Sequence, residues 1–184
     1  NEDSYVIAPP IFAVADGMGG AQAGEIASRL AAAALEDTDP GAKSGAERVT
    51  SLIQEANRRV HERAIADPST SGMGTTMTVA LVEGTTVTFG HVGDSRAYRF
   101  RDGTIEQITE DHSLVNELLK SGKLSPEEAD THPQRSVITR AVGTDPDVDV
   151  DSFTIDAEVG DVFLICSDGL TDMVDDEDIR SVLE

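Results

Sequence analysis

Hydrophobic residues in this chain follow two periods. Short runs rich in β-branched and aromatic residues fall at 5–8, 11–15, 75–82, 86–92, 96–100, 104–108, 149–155 and 161–166, and they predict strands. Two of these, Ile11-Phe12-Ala13-Val14-Ala15 and Val162-Phe163-Leu164-Ile165-Cys166, are apolar without interruption, the pattern of strands buried on both faces. Elsewhere the period is helical. An Ala-rich stretch over 23–35 predicts one helix. Val49, Leu52, Ile53, Ala56, Val60 and Ala64 lay an apolar face along a second, over 46–66. Further helices are expected over 111–122, over 126–129 with Ser125 as cap, and over 176–183. The segments 37–45 and 67–74 read as loops, Asp102-Gly103 as a hairpin turn, and 131–140 as irregular. Two helices in succession, then a meander of strands, then more helices predict an α+β fold of layered sheets with helices outside.

Carboxylates stand where the apolar runs stop. Asp16-Gly17 ends the first run and Ser167-Asp168-Gly169 the second; a third strand, 89–93, runs into Asp94-Ser95-Arg96, and Glu2 and Asp3 precede Tyr5-Val6-Ile7. A carboxylate at the end of a buried strand is poorly hydrated and calls for a partner, of which a cation is the natural one. If these ends converge, they form a cage of hard oxygen ligands suited to Mg²⁺ or Mn²⁺. Asp-Gly is also an ordinary turn pair. The repetition of the pattern at three strand ends is what favours the cluster.

Charge points the same way without deciding. The chain has 35 acidic and 14 basic residues and a net charge of −21. That disfavours a nucleic-acid backbone or an anionic membrane as partner, and it fits cation binding or plain solubility. No run approaches the ~20 apolar residues of a membrane span. One cysteine, Cys166, excludes an internal disulfide and suits a reducing compartment.

Other candidates carry less. Gly72, Gly74, Thr75 and Thr76 could hold a phosphate on backbone N–H groups, but lack a P-loop Lys and read as a loop entering a strand. His61, His91, His112 and His132 show no zinc spacing; His112 could assist a leaving group, although a surface or helix-start position is the plainer reading. Cys166 has Asp172 rather than Arg six positions on, so it reads as a buried inert thiol. Asp147, Asp149, Asp151 and Glu158 match calcium-loop offsets, yet Ser152 occupies the glycine position and Pro146 blocks an incoming helix.

Taken in order, N-E-D-S at 1–4, F-A-V-A-D-G-M-G-G at 12–20, G-T-T at 74–76, H-V-G-D-S-R at 91–96, D-H-S at 111–113, I-T-R-A-V-G at 138–143 and S-D-G-L at 167–170 resemble the metal-dependent serine/threonine protein phosphatases of type 2C, the PPM family, in its bacterial form. The resemblance implies a four-layer α-β-β-α sandwich of two antiparallel sheets flanked by helices. It implies two Mn²⁺ or Mg²⁺ ions, with a weaker third, and hydrolysis of phosphoserine or phosphothreonine by a metal-activated water. Asp3 would touch the metals and Glu2 would act partly through water. Asp16 would bridge the metals, the Gly17 carbonyl would add a ligand, Asp168 would bind one metal, and Asp94 would serve the third. Asp16 and Asp168 are thus the catalytic candidates, through the metals. The stretch 115–136 would be a flap over the cleft. Met18 stands where animal and plant enzymes carry a His. On the same resemblance, 1–184 is a single catalytic domain truncated at both ends, with the family's phosphate-binding Arg before Asn1 and its Asp-Asn motif after Glu184. Implied partners are phosphoproteins targeted by a bacterial Ser/Thr kinase, met by a monomeric domain in the cytoplasm, free or anchored, with no nucleic-acid or membrane contact. A dedicated phosphatase of one regulatory phosphoprotein, or a non-catalytic metal- or phosphoprotein-binding module, are the alternatives.

Overall fold

The structure is a computed structural model that describes residues 2–37, 41 and 43–184. Asn1 of the first acidic motif and residues 38–40 and 42 of the loop expected over 37–45 lie outside the described residues.

The chain runs β1 (Asp3–Ala8), β2 (Ile11–Met18), α1 (Ala21–Asp37), α2 (Gly45–Ala66), a 3₁₀ turn at Pro68–Thr70, β3 (Gly74–Thr75), β4 (Met77–Glu83), β5 (Thr86–Val92), β6 (Arg96–Arg101), β7 (Thr104–Gln107), α3 (Leu114–Lys120), α4 (Pro126–Asp130), β8 (Asp151–Asp156), β9 (Val162–Cys166), α5 (Asp168–Thr171) and α6 (Asp176–Leu183). The strands form two antiparallel sheets. Among the described residues one has six strands, ordered β1-β2-β4-β5-β8 with β3 on the end of β2, and the other has three, ordered β7-β6-β9. The expected α+β architecture of two antiparallel sheets with helices is what folds.

Two cores hold the layers together. In the outer one, α1 and α2 cover the larger sheet: Val49, Leu52, Ile53, Ala56 and Val60 of α2 are buried against Val79, Leu81 and Val92. The 3.6-residue spacing of these α2 side chains is what makes one face apolar along its whole length. The inner core lies between the sheets, where Phe89 of β5 stacks on Phe153 of β8 at 5.5 Å and meets Phe163 of β9 at 5.8 Å. On the far side of the small sheet, α6 packs beside β7, with Asp176 near the buried Tyr98 of β6.

Three local expectations change. The strand expected over 75–82 is split at Thr76, whose polar groups turn toward β2. The helix expected from 111 begins at Leu114. Ser113 is its cap, and Asp111 is held outside it by the Arg96 guanidinium, whose Nε and Nη2 donate at 3.0 and 2.7 Å. A forked Arg–carboxylate pair of this kind is directional enough to set a helix start. Finally, β2 and β9 are not buried on both faces. Among the described residues, Phe12, Val14 and Leu164 line an apolar groove of about 540 Å³, bordered by Tyr5 and Ile7.

His91 of β5 is fully buried; its Nδ1 bonds the Thr78 hydroxyl at 2.9 Å and its Nε2 the Glu110 carbonyl at 3.0 Å. Burial, and then the nearby His112 ring, push its pKa down to about 4. An unfolded His titrates near ~6.5, so between these values the unfolded chain binds the extra proton and stability falls as pH falls. Urea unfolding should show wild type losing stability from about pH 6.5 to 4 more steeply than His91→Gln, by a few kcal/mol at most. Parallel curves would mean His91 does not carry this cost.

Candidate metal centre

The antiparallel register of β1 and β2 sets Asp3 directly opposite Asp16. β9 brings the third acid from the other sheet. Its end delivers Ser167, whose hydroxyl donates to Asp3 Oδ2 at 3.2 Å, and then Asp168 at the first position of α5. The carboxyl of Asp16 is within hydrogen-bonding reach of both Asp168 and Asp3. Burial first, and then the two neighbouring carboxylates, push its pKa up to about 8. Like charges this close cannot all ionise unless a cation joins them. Among the described residues, no group of three or more His, Cys, Asp or Glu side chains is spaced as a finished metal cage. The three acids instead lean directly on one another, and it is that excess of acceptor oxygens and negative charge that fits a divalent ion.

Backbone clamps aim these acids. The Gly17 N–H donates to the Glu2 carbonyl at 3.2 Å, and the same carbonyl accepts the Ser28 hydroxyl of α1 at 2.6 Å. A Cβ on Gly17 would stand 2.0 Å from the Gly24 carbonyl oxygen, so only glycine lets the end of β2 approach α1 so closely. The Glu2 carboxylate lies over Gly24, beside the acid group. Asp16 is gripped harder still. Its N–H donates to Thr76 Oγ1 at 2.9 Å, and its carbonyl accepts both the Thr76 N–H and the Thr75 hydroxyl at 2.9 Å. Thr76 Oγ1 also bonds Ser95 Oγ at 2.7 Å, next to Asp94. The G-T-T segment is therefore a brace for Asp16, a role that its reading as a strand entry missed; two adjacent threonines facing a strand end are the only signal it left.

Asp94 follows β5 at a turn and shares a cleft of about 570 Å³ with Asp168, Arg96 and Asp111, walled on one side by Asn116, Arg135 and other residues of 115–136. Burial raises its pKa to about 6, with Asp168 and Asp111 adding to the shift. His112 is at the helix start, as read, but it is buried rather than on the surface. Cys166 is buried, with its thiol pushed up to about 11 by burial, too high for a nucleophile. Asp151 pairs with Arg140 and Glu158 with Arg101, so the calcium-loop offsets do not gather around one ion.

Residues 4–184 match the family described as protein phosphatase 2C. The chain belongs to that family. It is 40% identical over 181 residues to the serine/threonine phosphatase stp of Listeria welshimeri, covering 95% of this chain and 72% of the relative. It is 42% identical over 187 residues to the serine/threonine protein phosphatase PstP of Mycobacterium tuberculosis, covering all of this chain but only 36% of that protein's length. The crystal structure of the M. tuberculosis phosphatase PstP/Ppp superposes with a TM-score of 0.93 at 41% identity, over 100% of this chain and 79% of that one. A catalytic domain of PstP in complex with two manganese ions superposes with a TM-score of 0.87 at 38% identity, over 98% of this chain and 76% of that one. These matches place the chain among the bacterial metal-dependent serine/threonine protein phosphatases.

The contact of Gly17 with α1 gives a direct test. Gly17→Ala forces the end of β2 off the Gly24 carbonyl, and overpacking against backbone costs about 2 kcal/mol. Thermal unfolding should show that loss together with weaker Mn²⁺ binding. Wild-type values of both would refute the close approach.

Proposed function

We propose that the chain is a single catalytic domain that hydrolyses phosphoserine and phosphothreonine in proteins, using two Mn²⁺ or Mg²⁺ ions. One observation carries the reading: Asp3 and Asp16, paired across β1 and β2, are met from the other sheet by Asp168 at the end of β9, so that three carboxylates converge on one point and hold the Asp16 carboxyl well above the usual carboxylate range. Asp3, Asp16, Asp168 and the Gly17 carbonyl would hold the pair of ions, Glu2 would act from its place over Gly24, and Asp94 would serve a weaker third ion. Bound there, such ions supply a nucleophilic water and offset charge on the phosphoryl group.

The chain's own part is to position. Thr75 and Thr76 fix the peptide of Asp16, so its carboxylate is aimed before any ligand arrives. The cleft beside Asp94 and Asp168 gives a phosphorylated side chain room to enter, with the 115–136 stretch as its wall and flap. No protein nucleophile is called for, since Cys166 is buried and protonated. Phosphoproteins made by a bacterial serine/threonine kinase are the expected substrates, met by a monomer in the cytoplasm. The lone cysteine suits that compartment. No described helix is long and apolar enough to cross a membrane.

The test is phosphate release from a phosphothreonine peptide by the full-length protein, with Mn²⁺ and with excess chelator. Release should require the metal; release unaffected by chelator, or none in either case, overturns the proposal. Asp16→Asn should lose at least about 100-fold in turnover while remaining folded, as expected when one ligand of a coupled site is neutralised. Near-wild-type turnover at saturating Mn²⁺ would remove Asp16 from the centre. In calorimetry, Asp94→Ala should retain two tight Mn²⁺ sites and lose only weak binding, with lower turnover. Loss of a tight site would place Asp94 in the inner pair.

A further inference from the structure

His112 is buried 8% exposed, outside the acid cluster, and makes more directed contacts than a helix-start residue needs. Its ring Nδ1 accepts the Gly93 N–H at 3.0 Å, while its own main-chain N–H donates to the Gly93 carbonyl at 2.8 Å. Both peptide groups of Gly93 are therefore held by one residue. Gly93 has φ +110°, a backbone angle open to glycine, and the next residue is Asp94. Because Nδ1 accepts, the ring proton sits on Nε2, which donates to Asp151 Oδ2 at 3.0 Å. Asp151 is in turn held by Arg140 Nη1, which donates to Oδ1 at 2.6 Å and lies 3.0 Å from Nε2. The ring is thus fixed from behind by the Asp151 carboxylate, itself held by Arg140, and the Nδ1 lone pair that accepts the Gly93 N–H points at the turn that launches Asp94.

We propose that His112 is a positioning residue for Asp94. Its ring, oriented by Asp151 and Arg140, sets the Gly93 turn from which Asp94 reaches the outer cation site. The logic is that of outer-shell groups that orient a ligand without touching the ion; loss of such a group typically costs about 10–100-fold in affinity or activity. The inference rests on the assignment of Asp94 to a weak third site.

Two substitutions separate the halves of the ring. In His112→Asn the side-chain oxygen falls near the Nδ1 position and can accept the Gly93 N–H. In His112→Gln the side-chain amide falls near Nε2 and can reach Asp151, but nothing takes the Gly93 N–H. In the full-length protein without added metal, hydrogen exchange at the Gly93 amide should quicken by about tenfold or more in His112→Gln, and stay near wild type in His112→Asn. Calorimetry with Mn²⁺ should show His112→Gln weakening the outer site by about tenfold or more, with the tight sites unmoved. Turnover on a phosphothreonine peptide should fall in kcat with KM unchanged.

Equal behaviour of the two variants, whether both impaired or both like wild type, overturns the proposal. If neither folds, Asp151→Asn decides: faster Gly93 exchange and a weaker outer site support it, and unchanged values overturn it. Wild type with Mn²⁺-dependent hydrolysis but no third site removes the proposal and leaves the phosphatase function standing. Wild type with no Mn²⁺-dependent hydrolysis removes the function itself.

Discussion

Mutual repulsion among Asp3, Asp16 and Asp168 is the constraint around which this molecule is built. Three carboxylates at one point oppose folding, and they stay together only because stiff elements hold them. The β1–β2 register holds two, and β9 carries the third across from the other sheet. Everything nearby serves to keep the backbone from relaxing: Thr75 and Thr76 on the peptide of Asp16, Ser28 on the carbonyl of Glu2, and the bare approach of Gly17 to α1. In the proposed metal centre, that stored electrostatic cost is what a bound divalent ion would relieve.

The two sheets divide the labour. The larger one, covered by α1 and α2, supplies the inner acids and the brace. The smaller one supplies Asp168 and, through Arg96 and Asp111, anchors the segment that carries His112. Phe89 and Phe153 of the larger sheet and Phe163 of the smaller one cluster between the sheets, so the relation of Asp168 to Asp16 depends on aromatic packing some way from the chemistry.

Much of this was legible in the sequence because Asp16 and Asp168 each follow an apolar run and Asp3 opens a strand. The period-2 pattern locates strands, and a carboxylate at a strand end is conspicuous by its chemistry. What stayed hidden depends on partners distant in the chain. Thr76 looks like any strand threonine until its hydroxyl is seen on the N–H of Asp16, 60 positions away. His112 looks like a surface residue beside Asp111 because burial by β5 and β8 leaves no local trace.

The pairing of Asp3 with Asp16 has a consequence for how such a chain can vary. Side chains on a strand alternate faces, so a slip of one residue turns a whole strand over. β1 and β2 are joined by only two residues, and Ala8 already pairs with Ile11. A single insertion or deletion in that connection would rotate Asp3 to the opposite face from Asp16, leaving every residue present and the hairpin intact but the acids divided between two sides of the sheet. Length in that hairpin is therefore as much a part of the site's specification as the identity of its carboxylates.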